Sequence, residues 1–362
     1  KVKYLGIKTL KKILLISNYV FHYRQKISNY FFEKFQKEGY DFLVIGNSFQ
    51  KVDYELKFSR FEIPFSIKEY IEKIENIKPE YVILFLHLKD VVMLPIIWYC
   101  KVHQIPVIYW NFGINKNTPN AKLKNVLFHY IHHECNALLT YTPDMKRYFL
   151  EKHQHKIFVA FNTLDLSDVD KSVLPEKKIT RSRYGITEKK VILYVSRIMP
   201  YKRVELLMDA FADVEDIAVV IVGPGFTWEQ QKVVDSHKNL YYLGEKYGHD
   251  VQEIYSMGDV FSTPGHIGLA ITEALFWGLP TVLLQGTHAP EIYYLKNGET
   301  GYLAKDEKEY KEYMIALLHD DSKLKKMSES CLEVFKKEVS IDKMFEGFIE
   351  AIRYCEKKDN GM

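Results

Sequence analysis

A chain of 362 residues, 47% apolar and 27% charged, is long enough for two domains that each bury a core, which excludes a disordered polypeptide. The apolar stretches at 81–86 and 91–99 are separated by His87, Lys89 and Asp90, so no run reaches the roughly 20 residues a membrane span needs. The net charge of +3 hides an asymmetry, since residues 1–165 hold 24 Lys/Arg against 15 Asp/Glu and residues 166–362 hold 26 against 32.

Short β-branched or aromatic runs alternate with segments of helical apolar spacing from Lys12 onward. Strands are expected at 13–17, 41–45, 81–86, 106–110, 137–141 and 156–160, and helices at 25–38, 67–77, 90–103, 120–134 and 143–153, a βαβ series on a parallel sheet. The periodicity stops at 162–187, where Asp, Ser, Lys and Pro175 replace it, and this stretch reads as an interdomain linker. A second series follows, with strands at 191–195, 217–222, 240–243, 260–263 and 281–284 and helices near 203–212, 228–236, 249–257 and 269–277. The tail at 321–357 reads as helical with no strand left to pair. Two doubly wound domains in tandem result, with ligands expected beyond the carboxyl ends of the strands.

The most informative stretch runs from Gly265-His-Ile-Gly268 through Leu-Ala-Ile-Thr-Glu273 to Gly278-Leu-Pro280: strand, glycine loop, helix, stop. Gly265 and Gly268 let backbone approach a ligand, and the free N–H groups near Gly268 and Leu269 form an anion site. Glu273 lies about one turn into the helix, at a depth suited to a ribose diol whose phosphates meet the N-terminus. Upstream, Arg197 and Lys202 put two cations on a strand-end loop, able to neutralise a diphosphate in place of a metal.

Plainer readings apply elsewhere. His129, His132 and His133 share helical spacing but read as a packed or solvated face, not a metal cluster. Asp168-Val-Asp170 falls in the linker and reads as solvated. Four cysteines without C-x-x-C spacing read as reduced, buried thiols. No signal peptide is expected in 1–15, where the apolar run is short and no small-residue cleavage site follows, so the chain is expected in the cytoplasm. The basic first half suits anionic lipid headgroups at the inner face of a membrane or a phosphate-bearing acceptor, with a lysine-rich solvated surface the alternative. No nucleic-acid partner is expected.

Residues 190–304 resemble the donor-binding domain of family 4 retaining glycosyltransferases. The matching pieces are Ser196-Arg197 with Lys202, Val222-Gly-Pro-Gly225, Tyr242-Leu-Gly244, the stretch from Gly268 to Pro280, Ala289-Pro-Glu291, and Asn297-Gly-Glu-Thr-Gly301 running on to Leu303. Weaker similarity covers nearly all the rest, including Asn18-Tyr19 with Tyr23-Arg24 and Phe161-Asn-Thr-Leu-Asp165. The resemblance implies an α/β chain of the GT-B fold, two Rossmann-like doubly wound domains facing a central cleft. Residues 1–165 would take the acceptor, with a C-terminal helix (341–362) crossing back, and 166–340 the nucleotide-sugar donor. It further implies that Arg197 and Lys202 bind the donor diphosphate, Glu273 the ribose, and Gly268 with Leu269 the distal phosphate. Gly223, Gly265, His266 and Glu291 would complete the donor site, and His22, Arg24, His87 and Asn111 are the acceptor-side candidates.

Two positions depart from the family pattern. The first of its two motif glutamates falls on Gly265, and its frequent histidine after the fourth strand falls within Trp110-Asn-Phe-Gly113. These losses remove contacts to the donor sugar, for which His266, Asn111 and His87 are the replacement candidates. The expected activity is retaining, metal-independent transfer of a sugar from a UDP- or GDP-linked donor to a hydroxyl of a growing glycan, free or lipid-linked, with no cofactor. The rival readings are an inactive partner subunit and a nucleotide-sugar epimerase of the same fold.

Overall fold

Every pairing in both sheets of the computed structural model is parallel, and this one fact sets where ligand-binding loops collect. The structure describes residues 10–114 and 122–359. The start of the helix expected at 120 and the segment preceding Leu10 lie outside them.

The first unit comprises Lys1–Asp165 with Ile341–Met362. Its elements are β1 (Lys11–Val20), α1 (His22–Lys37), β2 (Tyr40–Phe49), β3 (Ser59–Glu62), α2 (Ile67–Ile77), β4 (Tyr81–Phe85), α3 (Met93–Val102), β5 (Val107–Trp110), α4 (Lys122–Glu134), β6 (Ala137–Thr140) and β7 (Ile157–Val159), closed by α12 (Ile341–Asp359). The sheet order is β3-β2-β1-β4-β5-β6-β7. Ile13, Leu15, Phe42, Val44, Ile83 and Ile108 face one side, packed by α1 and α12. Their neighbours Leu14, Ile16, Leu43, Ile45, Val82 and Leu84 face the other, packed by α2, α3 and α4. Burial on both faces is why these strands read as unbroken apolar runs and not as alternation.

Helix α12 seats Met344, Phe345, Phe348, Ile349 and Ile352 in the first of these cores. It approaches so closely that a Cβ at Gly347 would stand 2.0 Å from the Val159 carbonyl oxygen, so only glycine fits there.

The second unit, Leu166–Ser340, contains α5 (Lys177–Arg183), β8 (Lys190–Val195), α6 (Val204–Phe211), β9 (Ile217–Val222), α7 (Trp228–Ser236), β10 (Leu240–Tyr242), α8 (Gly248–Met257), β11 (Val260–Phe261), α9 (Ala270–Trp277), β12 (Thr281–Leu284), β13 (Gly301–Ala304), α10 (Glu307–Leu318) and α11 (Asp321–Val334). Its order is β10-β9-β8-β11-β12-β13. Local chemistry sets several boundaries. Thr227 and Gln230 form a reciprocal capping box at the start of α7, and Gly278, at φ 69°, ends α9 in the left-handed conformation ahead of Pro280.

Four expectations change. The helix expected at 143–153 is two 3₁₀ segments, Pro143–Tyr148 and Glu151–Lys156. The linker stretch contains α5, which belongs to the second unit because Arg181 donates to the Met257 carbonyl and pairs with Asp259 at 2.7 Å. β3 and β13 were not expected. Both are four-residue edge strands, too short to show a period.

Candidate active site

In the second sheet the strand order reverses between β8 and β11, the switch point at which an open α/β sheet leaves a crevice beyond its carboxyl ends. The loops after those two strands carry Arg197, Lys202, Gly265 and His266. The loop after β9 is drawn onto the first of them because position 223 is glycine: a Cβ there would lie 2.0 Å from the Ser196 carbonyl oxygen. Two backbone bonds then tie the loops together, Ser196 N–H to Val222 O at 3.0 Å and Ile198 N–H to Pro224 O at 2.8 Å. Gly223 therefore shapes the site through backbone contact.

Lys202 ends a single 3₁₀ turn, Pro200–Lys202, and the next residue, Arg203, takes a left-handed φ of 58° to enter α6. The Lys202 ammonium donates to the Ser196 hydroxyl. Burial, and secondarily the charge of Arg197, pull its pKa down to about 8. Neither cation is ion-paired to a carboxylate among the described residues, and Arg197 is exposed. Two adjacent cations held without a counter-charge form a receptor for a polyanion.

The loop after β11 leads into α9, where Ile271 and Thr272 N–H donate back to Gly268 O and Leu269 O at 3.2 and 2.9 Å, so the N–H groups of Gly268 and Leu269 just ahead of them, and the helix dipole, are what the site offers an anion. Gly268 has space around it, a Cβ there meeting only Ala289 at 3.7 Å. Glu273, half-buried in the first turn, accepts a hydrogen bond from the Tyr255 hydroxyl at 3.2 Å. Burial, reinforced by Glu273 itself, raises the Tyr255 phenol well above its ordinary pKa, so it stays a donor and fixes the carboxylate. Glu291 is buried in the 3₁₀ turn Pro290–Tyr294 after β12.

His266 is held by the carbonyl of Thr287, 2.8 Å from its Nδ1, with Tyr201 edge-on at 5.3 Å and His288 stacked at 6.1 Å. Gly265 carries no side chain because none fits: its Cβ would stand 2.2 Å from the Tyr201 carbonyl oxygen and 2.8 Å from Arg203 Cγ. The absence of a glutamate at this position is thus built into the packing of the Lys202 loop.

The first unit has its own switch point, between β1 and β4. A cavity of about 560 Å³ opens beyond β4, β5 and β6, lined among others by Phe85, His87, Lys89, Trp110, Asn111 and Lys124. His87 is exposed at its rim, and its backbone N–H is held by Asp90 at 2.7 Å. Arg24, in the first turn of α1, lies with its guanidinium carbon 4.4 Å over Trp110, 5.1 Å from Phe85 and 5.4 Å from Tyr23. Its Nε and Nη1 are buried without hydrogen-bond partners. Cation–π attraction is what offsets that desolvation.

Asn111 is turned inward. Its Oδ1 accepts from Gly113 N–H at 2.7 Å and meets His132 Nε2 at 3.2 Å, while Nδ2 donates to Tyr109 O. His132 is fully buried, which drives its pKa to about 3 and confirms the packed reading of that histidine. His22 is exposed, with Nδ1 3.0 Å from Gln50 Oε1. Among the described residues no three His, Cys, Asp or Glu side chains are grouped to hold a metal ion. None of the four cysteines forms a disulfide, and all four are buried.

Sequence reasoning missed the Arg24 cage, the Tyr255 support of Glu273 and the His132–Asn111 contact. Apart from the adjacent pair Tyr23 and Arg24, each joins residues more than 15 positions apart, and only a strand-end aromatic such as Trp110 offered a hint.

Two all-parallel, doubly wound units of this order are the fold of solved GT-B glycosyltransferases. A glycosyltransferase from Rickettsia africae superposes with a TM-score of 0.75 at 16% identity, covering 96% of this chain and 99% of that one. HepE of Anabaena, crystallised with UDP, superposes at 0.71 and 14% identity, covering 95% and 100%. More narrowly, residues 176–333 match the model of the family "Glycosyl transferases group 1". Among curated proteins, the chain is 29% identical over 37% of its length to spore coat protein SA of Bacillus subtilis and 22% identical over 67% to trehalose synthase of Pyrococcus horikoshii. It spans 40% and 63% of the lengths of those relatives.

Proposed function

We propose that this protein transfers a sugar, with retention, from a nucleotide-diphosphate donor to a hydroxyl of a growing glycan, and that UDP is the nucleotide. The observation that carries this reading is the gathering, at one switch point, of two unpaired cations, a helix N-terminus and a carboxylate one turn along that helix. This set suits a diphosphate joined to a ribose diol. Arg197 and Lys202 take the leaving diphosphate without a metal, Gly268 and Leu269 meet its distal phosphate, and Glu273 accepts from the ribose hydroxyls. The choice of UDP draws support from HepE, which was crystallised with UDP and with UDP-glucose.

In the proposed reaction the bond between the anomeric carbon and the phosphate oxygen breaks as the acceptor oxygen bonds to the same face of that carbon. The departing phosphate oxygen takes the acceptor's proton, so no protein base is required. What the protein supplies is position and charge. The first unit takes the acceptor at the cavity beyond β4 and β5. Contact with an anionic membrane is favoured by one face of α3 and α4, where Trp98, Val102, Val126 and Tyr130 are exposed beside Lys101 and Lys122.

The test is calorimetric titration with UDP, GDP and ADP in the presence of chelator. Binding of UDP that survives chelator and is lost in Glu273→Ala is expected, with flotation on phosphatidylglycerol vesicles that Trp98→Glu abolishes. Absence of nucleotide binding overturns the donor reading, and absence of flotation overturns the membrane one. A superposition at 0.66 on a UDP-N-acetylglucosamine 2-epimerase from Listeria monocytogenes, described as putative, keeps the epimerase alternative in view. An epimer formed from donor alone, without acceptor, identifies it.

A further inference from the structure

We infer that His266 is the side chain through which the second unit selects its donor sugar, by accepting a hydrogen bond at Nε2 from a hydroxyl of an uncharged pyranose. The inference rests on the nucleotide-sugar reading and names the sugar class that site takes.

Ser262, Thr263 and Pro264 are buried and position 265 is closed to any side chain by the Tyr201 carbonyl and Arg203, so the first partly exposed side chain of the loop after β11 is that of His266. A carbonyl oxygen only accepts, so the 2.8 Å contact with Thr287 O places the proton on His266 Nδ1. In the neutral ring Nε2 is then a lone-pair acceptor.

The neighbouring histidine cannot occupy that lone pair. Ile267 N–H donates to His288 Nδ1 at 3.2 Å, so its proton sits on Nε2 and is given to Leu284 O at 2.8 Å. Burial lowers the pKa of His288, keeping it neutral in that tautomer. Tyr201 meets His266 edge-on and His288 lies stacked against it, both through ring contacts. Residues from the loops after β8, β11 and β12 thus set the plane of the imidazole, and no described residue engages its Nε2.

His266 precedes Gly268 by two residues, a separation of at most about 7 Å along the chain. A sugar attached to a phosphate at the α9 N-terminus therefore lies within reach of the half-exposed imidazole. A lone pair there favours a hydroxyl donor and repels a carboxylate, so a neutral hexose is preferred over a uronate.

The test is titration of the wild type, His266→Ala and His266→Gln with UDP, UDP-glucose and UDP-glucuronate. In the wild type UDP-glucose should bind more tightly than UDP-glucuronate. His266→Ala should weaken UDP-glucose by about five- to tenfold with UDP unchanged, and His266→Gln, which keeps an acceptor, should recover part of the loss. Equal weakening of UDP and UDP-glucose, or no change in either, overturns the inference while leaving the nucleotide site intact. A wild type that binds no UDP overturns both.

Discussion

If Lys202 takes the donor diphosphate as proposed, binding should depend on pH inside a range where lysines are ordinarily inert. Its pKa of about 8 means that about nine-tenths of the side chain is charged at pH 7 and about one-tenth at pH 9. If only the ammonium form binds, the apparent Kd for UDP rises about tenfold between those values. The shift comes from burial first and Arg197 second, and a bound diphosphate opposes both, so binding near pH 8 should take up a proton. Calorimetry in two buffers of different ionisation enthalpy measures that proton directly. The stability sign is opposite. A depressed lysine binds fewer protons folded than unfolded between pH 8 and its ordinary range, so its own contribution to the free protein's stability grows as pH rises there. Weaker binding at pH 9 is thus separable from unfolding. Lys202→Arg, charged throughout, should bind with little pH dependence. A wild-type Kd that is flat from pH 7 to 9, or a slope that survives in Lys202→Arg, refutes this account.

Two further perturbations separate packing from chemistry. Gly265→Ala should displace the Lys202 loop and weaken UDP at least tenfold, whereas Gly268→Ala has room and should fold as the wild type does, as paired thermal melts and UDP titrations will show. Gly347→Ala should destabilise the first unit by about 1–3 kcal/mol, because α12 must lift off the β7 backbone; a melting temperature equal to that of the wild type contradicts the packing described.

Much of the scaffold was legible before any coordinates. Val191 to Tyr194 and the whole of β9 are apolar without interruption because helices cover both faces, and such runs announce themselves in sequence. The stop of α9 at Gly278 and Pro280 was equally plain, since the left-handed residue and the ring that cannot continue a helix are local properties. α5 and β13 escaped notice because seven- and four-residue elements carry too little period, and their existence depends on partners such as Asp259 and β12. Around the candidate site, sequence determined which residue types stand at each strand end and which helix offers its N-terminus. Tertiary structure alone decided that Gly265 has no room for a side chain, that Asn111 turns toward buried His132, that Tyr255 steadies Glu273, and that Arg24 lies among three rings. The physical reason is one of range. Backbone propensity and burial pattern act over a few residues, whereas desolvation and hydrogen-bond satisfaction are settled by whichever distant groups the packed core brings within a few ångströms.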